Sequence, residues 1–367
     1  MRIKMRDRLG GRSGRAEEQK AQQQSPSIQE WRELYDAATE FKKVECWNWM
    51  WDSDLFGIQN PENGEVGYCC VMGRAGEHFA LAVYLGTEGL ETYHKIQRNG
   101  VSLSPFNALL LQKCLMASFE DRNLLTARDF QVIKTLGLKF RGRNSWTLFR
   151  SYLPGYVPWH LNREEAKFLT VALRQAIDVV LRFKDDPEML DSPLKNQYLV
   201  RVPEKDGNGV VWRDEWIEPM PLEKKEIDTK LVDEGHLNRI KKKRSPQRRG
   251  IWEVDFFYFP QAVWEKEERP YFPRAILTVD RSIGLILGCN LAEPENFVSE
   301  FREAFLEGVE HVKVMPEEVL VKREESLKLL EPITAKLEIK LRKVKRLPTL
   351  EEAQKSFLEF LEDKRFM

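Results

Sequence analysis

The stretch that most constrains the fold of this chain lies in its second half and begins with the letters IWEVDFFYFP. Trp252, Val254 and Phe256 alternate there with Glu253 and Asp255, which gives one wholly apolar face and one face that is charged at its start. A period of two residues with aromatic enrichment is typical of a β-strand. We therefore predict that this stretch is a strand around which the rest of its domain is organised.

Two more strands and then alternating helices and strands are predicted to follow. Residues 274–289 contain two short apolar runs separated by turn residues at 280–282, which predicts a hairpin beside the first strand. Further on, apolar residues recur at helical and strand spacing in turn, and Thr349 with Glu352 forms a capping box for the last helix. The predicted order, β-β-β-α-β-α-β-α, implies a mixed sheet with helices on its faces.

This order resembles the α/β ribonuclease H-like fold. The letters WEVD at 252–255 are similar to the start of a retroviral-type integrase or transposase core. The letters VDRS at 279–282, followed by Gly284, resemble the second-strand turn of that superfamily. The resemblance covers residues 251–367 and implies a ribonuclease H-like domain there.

The resemblance also implies where catalytic carboxylates would stand, because such enzymes bind two divalent metal ions. The candidates are Asp255 on the first strand, Glu324 and Glu325 after the fourth strand, and Glu352 on the last helix. The fourth strand, however, ends in Lys322 and Arg323, and positive charge opposes cation binding. We therefore expect a degenerate, non-catalytic core without a cofactor, in which Asp255 is a polar residue on the less buried face of the strand. The alternative is a nuclease or strand-transfer enzyme that uses Asp255 with Mg²⁺ or Mn²⁺.

Composition bounds the class of protein. The chain has 367 residues, enough for two domains, and its Lys+Arg and Asp+Glu counts are both 58. A net charge of zero argues against a protein that binds nucleic acid over a strongly basic surface, although smaller basic patches are still possible. No apolar run approaches the roughly 18 residues of a membrane span, and the five cysteines lack CxxC spacing. We expect a cytoplasmic protein with reduced thiols and no membrane contact.

The first part of the chain predicts an α+β domain. Residues 1–26 are rich in Arg, Gln and Ser with few apolar side chains, which predicts a disordered basic tail. Residues 27–220 start with a helix capped by Ser27 and continue with a hairpin around the PENG turn at 61–64. We expect residues 140–159, with their many aromatic, Pro and Gly residues, to be irregular.

Two segments of this domain carry a second resemblance. They read WNWMWDSDLFGIQNPENGEVGYCCVMGRAGEHFALAVYLGTEGL from residue 47 and LKFRGRNSWTLFRSYLPGYVPW from residue 138. Both resemble a family of bacterial proteins of unknown function in which this domain precedes an integrase-core-like one. The resemblance covers most of residues 28–367 and implies the two-domain architecture, but it carries over no catalytic residue.

Basic residues give two candidate nucleic-acid sites. A protein partner is the other possibility. Arg141 and Arg143 lie among aromatic residues, and such groups can contact phosphates and stack on bases. Alternatively, the aromatic rings pack in the core and the arginines cover them. Residues 221–250 are predicted to be a charged linker, which binds nucleic acid or is a plain solvated tether. Its six candidate residues are Lys241, Lys242, Lys243, Arg244, Arg248 and Arg249.

Overall fold

The computed structural model describes residues 25–99, 103–207, 209–222, 234–242, 247–265, 268–312 and 314–363. The chain divides into two compact units, which meet in sequence at residues 223 and 224. Both units are α+β, and each is built on its own sheet. Residues 1–24 of the predicted tail lie outside the described residues.

The N-terminal unit is built on a seven-stranded sheet. Its strands are β1 (Phe56–Gln59), β2 (Val66–Met72), β3 (Phe79–Leu85), β4 (Cys114–Glu120), β5 (Trp146–Tyr152), β6 (Tyr198–Asp206) and β7 (Gly209–Ile217). Its helices are α1 (Ile28–Val44), α2 (Gly86–Asn99), α3 (Pro105–Leu111), α4 (Ala127–Leu136) and α5 (Arg163–Asp185). The strand order is β5-β4-β3-β2-β1-β6-β7, and all neighbours are antiparallel except β1 and β6.

The two faces of this sheet are covered by different helices. Helices α1 and α5 pack together over one face, where Phe41, Phe56 and Leu169 are fully buried. Helix α2 lies against β2 and β3 on the other face, over a smaller cluster that includes Tyr68 and Tyr84. Both faces of the central strands are therefore buried.

Local signals predict the first elements of this unit well. Ser27 caps α1 through a capping box, in which its hydroxyl accepts from the Glu30 amide and the Glu30 carboxylate accepts from the Ser27 amide. The predicted hairpin at 61–64 is confirmed, since β1 and β2 pair antiparallel on either side of it.

The prediction of an irregular segment at 140–159 is wrong, because β5 lies inside it. The buried side chains of β5 are Thr147, Phe149 and Ser151, whereas Trp146 and Leu148 on the other face are half-buried. Two of the three buried side chains are therefore polar, while the outer face carries large apolar residues. Since the hydrophobic alternation is cancelled in this way, the sequence shows no strand period.

The C-terminal unit contains the predicted order β-β-β-α-β-α-β-α in a mixed sheet. Its strands are β8 (Gln247–Arg248), β9 (Ile251–Tyr258), β10 (Arg274–Asp280), β11 (Ile286–Ala292), β12 (Val314–Met315), β13 (Glu318–Val321) and β14 (Lys340–Lys343). Its helices are α6 (Glu234–Lys242), α7 (Phe297–Val312), α8 (Glu324–Lys336) and α9 (Pro348–Asp363). The five-stranded sheet has the order β11-β10-β9-β13-β14, with antiparallel pairing up to β9 and parallel pairing from β9 onward.

Strand β9, which the alternating pattern predicts as a strand, is central in the sheet. Trp252, Val254 and Phe256 pack on one face into a core that residues of α7 and α8 complete. Phe257 packs on the other face into a cluster with Leu350 and other residues of α9. Every residue from 252 to 257 is buried, including the two acidic ones. The expectation that Asp255 lies on a less buried face is therefore wrong, because α9 covers that face.

The predicted linker at 221–250 needs correction, because part of it belongs to the C-terminal unit. Helix α6 buries Leu237 and Ile240, which are 1% and 3% exposed, in the core under β9. Strand β8 pairs in parallel with β12. Two apolar side chains one helical turn apart were enough to anchor a segment that is otherwise charged. Residues 223–233 and 243–246 lie outside the described residues.

The predicted capping box at the last helix is also wrong. Helix α9 begins at Pro348, so Thr349 lies within the first turn. The amide of Leu350 donates to the Glu253 carboxylate at 2.8 Å, so the cap comes from the central strand. A cap that is supplied from a residue 97 positions away leaves no local sequence signal.

Candidate functional site

The region around Asp255 is the site that the sequence points to. Asp255 lies in β9, and α8 begins just beyond the end of the neighbouring strand β13. Its carboxylate is 4% exposed overall and is held by two donors. Arg323 Nη1 lies 2.5 Å from Oδ2, and Ser326 Oγ donates to Oδ1 at 3.2 Å. Both carboxylate oxygens are therefore bound by side chains of the protein itself.

Arg323 is fixed by more than this ion pair. It precedes the first residue of α8, donates to the carbonyl oxygen of Phe256 at 2.6 Å and lies over the Phe256 ring at 4.6 Å. Arg274 of β10 lies over the rings of Phe256 and Phe297 and pairs with Glu325 at 3.0 Å. Two arginines from neighbouring elements thus stack on aromatic rings near the end of β9, and each is paired with a carboxylate.

The other predicted catalytic carboxylates do not gather at Asp255. Glu325 pairs with an arginine as described, and Glu324 pairs with Lys343 at 2.7 Å. Glu352 is exposed on α9. Among the described residues, no group of three or more His, Cys, Asp or Glu side chains is placed to hold a metal ion.

The end of β13 is neutralised in the same way. Lys322 Nζ lies 2.9 Å from the carboxylate of Glu351 on α9. Hydrogen bonds from Lys322 and Arg346 lower the pKa of Glu351 to about 2. The basic end of the strand, which the sequence identifies as an obstacle to metal binding, is therefore paired with a carboxylate of the last helix.

The second acidic residue of β9 also has a structural partner. Glu253 is fully buried, and one carboxylate oxygen accepts from the amide of Leu350. Arg281 Nε lies 3.7 Å from the other oxygen. Glu253 thus places a negative charge at the N-terminus of α9, where the helix dipole favours it. The sequence did not identify this role.

The basic and aromatic segment of the N-terminal unit divides into a buried part and an exposed part. Phe140 and Trp146 pack against the main core, and Arg122 lies over the Trp146 ring at 5.7 Å. Both rings are half-buried, and Arg122 covers that of Trp146, so packing in the unit accounts for them better than base stacking does. Across residues 122–143, however, the sequence holds one acid, the buried Asp129. The exposed basic residues are Arg122, Arg128, Lys134, Lys139, Arg141 and Arg143.

Asp129 is held inside the unit and does not offset those cations at the surface. Its two oxygens receive a bidentate pair of hydrogen bonds from Arg150, at 2.9 and 2.6 Å, and His160 Nδ1 lies 3.6 Å away. Burial alone would raise the pKa of Asp129, but hydrogen bonds from Arg150 and His160 and the charge of Arg150 lower it well below its usual range.

The basic candidates around 241–249 are only partly described. Arg248 donates to the carbonyl oxygens of Leu337 and Glu338, at 3.0 and 2.6 Å, and so ties β8 to the end of α8. The backbone amide of Arg249 donates to Met315. Lys243 and Arg244, like the side chains of Lys241 and Lys242, lie outside the described residues.

The N-terminal unit also has a half-open cleft of about 670 Å³ that the sequence did not predict. Trp49, Trp51 and Tyr93 contribute its aromatic walls. His94 Nε2 and the Tyr198 hydroxyl form a hydrogen bond of 2.9 Å there, and burial lowers the pKa of His94. The lining residues come from separate segments of the chain and form no local motif, so only the fold brings them together.

Comparisons with known proteins agree with a two-domain organisation. One family, described as Domain of unknown function (DUF7309), matches residues 31–201, and a second, Domain of unknown function (DUF6930), matches residues 236–358. No curated protein matches the chain. None of the described helices is long and apolar enough to cross a membrane. The second match includes most of α6 and ends within α9. The chain thus combines two domains of unknown function, one in each compact unit.

Proposed function

We propose that the C-terminal unit is a ribonuclease H-like domain whose metal site has been replaced by a salt bridge, and that it acts as a non-catalytic interaction module. Three observations support the fold assignment. A hairpin meander precedes α7, α8 and α9, the first strand of the sheet is central, and crossover helices link the parallel strands. The element order is the one that the sequence resemblance implies.

The main observation in support of a non-catalytic unit is the ion pair between Asp255 and Arg323. A two-metal centre needs carboxylates that are open to cations. In this unit the guanidinium of Arg323 occupies one oxygen of Asp255, and Ser326 occupies the other. A fixed positive charge at that position repels a divalent cation. The nuclease alternative requires Arg323 to withdraw and further carboxylates to come within about 5 Å of Asp255.

Calorimetric titration of the full chain with Mn²⁺ tests this proposal. We expect the wild type and Asp255→Asn to give the same weak heats without saturation, because Asp255 is not open to the ion. Glu303→Gln, which removes an exposed carboxylate of α7, is the control for non-specific binding at the surface. Saturable binding that Asp255→Asn abolishes and Glu303→Gln retains would overturn the proposal in favour of the nuclease.

A second candidate function, association with nucleic acid, is favoured by the exposed cations of residues 122–143. The one acid within this stretch is buried against Arg150, and the half-exposed Asp121 just before it lies 4.0 Å from Arg143. Phosphate contacts of this kind bind without sequence preference and weaken as salt displaces the condensed counterions. Because packing in the unit accounts for the nearby rings, we propose backbone contact and not base stacking.

Fluorescence anisotropy with a labelled duplex tests this second candidate. Replacing Arg141 and Arg143 by Ser should weaken binding. It should also make the negative slope of log K against log salt shallower by about 1.8, the value for two lost phosphate contacts. The matched control replaces Arg174 and Lys195, two exposed basic residues elsewhere in the same unit, by Ser. Equal losses in both variants, or no binding by the wild type, would contradict a dedicated surface.

A further inference from the structure

The two larger sheets end in four edge strands, and three of these are protected from pairing with other chains. Strand β5 is covered at Ser151, which forms a bridge with Trp159. Strand β7 carries three consecutive charged residues at 213–215, and β14 reads KLRK. Cover and charge are the usual means by which proteins prevent edge-to-edge association.

Strand β11 is the fourth edge, and it has neither protection. It reads ILGCNLA, without a charged residue or a proline. Within the part of the chain that the structure describes, its only ladder partner is β10. The turn before it exposes two apolar side chains, Ile283 at 67% and Leu285 at 56%. The irregular pairing with β10 is confined to the turn end, so the register from Gly288 to Ala292 is regular.

We infer that β11 pairs antiparallel with β11 of a second copy of this chain, which joins two C-terminal sheets into one. A strand that meets its own copy across a two-fold axis places its own charges near one another. Strand β14 would bring basic residues together in such a pair, whereas β11 brings none. The uncharged strand is therefore the edge best suited to self-association. This inference goes beyond the proposed interaction role, because it names the partner and the surface.

The length of β11 also predicts a register. Its middle residue is Cys289, so a pair that is centred on the strand places Cys289 opposite its own copy. Directly opposed residues of antiparallel strands have Cα atoms about 4.5–5.5 Å apart, within the range of a disulfide. All five cysteines are free, and Cys289 is the one that is not buried. A mild oxidant should therefore link two chains through this residue.

Gly288 offers a substitution that disturbs the pair without disturbing the fold. A Cβ atom built on Gly288 meets no other atom within 4 Å, so a longer side chain has room in the isolated unit. In the centred register, residue 288 of one copy lies opposite residue 290 of the other. Gly288→Lys should weaken the pair, because the two symmetric lysines then lie on one face at diagonal positions about 7–8 Å apart, and adding Asn290→Glu should restore it through two symmetric salt bridges. Gly288→Ala is the uncharged control.

Sedimentation velocity of the full chain over a range of concentrations tests the inference. The wild type and Gly288→Ala should sediment as dimers, and Gly288→Lys should raise the dimer dissociation constant about threefold or more. Oxidation of the wild type with copper phenanthroline should give a covalent dimer that Cys289→Ser abolishes. A monomeric wild type, or a dimer that Gly288→Lys does not weaken and that gives no cross-link through Cys289, would overturn the inference.

Discussion

At the scale of single residues, this protein uses buried acids to hold its structure together. Asp129 in the N-terminal unit and Asp255 in the C-terminal unit are each paired with an arginine. A buried carboxylate that loses such a partner, or a buried arginine that loses its carboxylate, is left with an uncompensated charge. The same residue types in a catalytic centre would instead be open to metal ions or substrate.

The Asp129–Arg150 pair gives a prediction about pH and stability. Because the pKa of Asp129 is lower in the folded than in the unfolded chain, the pair stabilises the fold above the unfolded pKa of about 3.9. That contribution is lost as the pH falls below this value toward the folded pKa. At pH 7, Asp129→Asn should lower the free energy of unfolding by about 3 kcal/mol, as measured by urea denaturation.

The difference between wild type and Asp129→Asn should shrink below pH 4 as the wild-type carboxyl becomes protonated. Glu62→Gln is the control, since it breaks an exposed pair with Lys167 and should cost less than about 1 kcal/mol. An Asp129 variant as stable as the control at pH 7 would show that the buried pair does not stabilise this unit.

At the scale of secondary-structure elements, local signals predicted some boundaries, and long-range contacts set others. Helices α1 and α4 begin at capping boxes that are visible in the sequence. Helix α9 takes its cap from Glu253, which the sequence places in a distant strand. Helix α6 is anchored by two apolar residues, and its charged surroundings made it resemble a linker.

The cap of α9 gives a second prediction, which separates local from long-range capping. Glu253→Ala leaves the buried amide of Leu350 without its acceptor and should lower the free energy of unfolding by about 2 kcal/mol. Thr349→Ala, which a local capping box would make equally costly, should change it by less than about 0.5 kcal/mol. Chemical denaturation of the full chain measures both. The reverse ranking would favour the capping box.

The candidate site was predictable from the sequence in part. The positions of Asp255 on the central strand and of Lys322 and Arg323 at the end of β13 follow from hydrophobic period and order. Of these two basic residues, Arg323 contacts Asp255, whereas Lys322 contacts Glu351. This choice depends on the direction in which α8 leaves the end of β13, and packing sets that direction. The cleft beside His94 and Tyr198 joins segments far apart in the chain, so no local pattern could indicate it.

At the scale of the whole molecule, two domains of unknown function occur in one chain, each with its own sheet and core. In the C-terminal sheet, Arg323 pairs with Asp255 of the central strand, at the position where the ribonuclease H-like fold that we propose would hold a metal ion. We therefore propose that Asp255 contributes to stability and that surfaces of the chain serve for association. An unprotected edge at β11 and exposed cations around Arg141 are the two surfaces that the structure favours for contact.

The free energy of unfolding of Asp255→Asn, measured in EDTA and again in Mn²⁺, tests the central claim most directly. A working metal site holds carboxylates that repel one another when the metal is absent, so removing one of them stabilises the apo protein. A structural ion pair behaves oppositely, because its loss removes the charged contact with Arg323 and the charge-assisted hydrogen bond from Ser326 that the buried carboxylate receives. We predict that Asp255→Asn is less stable than the wild type by about 2 kcal/mol in EDTA and that Mn²⁺ stabilises neither protein. A variant more stable than the wild type in EDTA, together with a wild type that Mn²⁺ stabilises, would contradict the account.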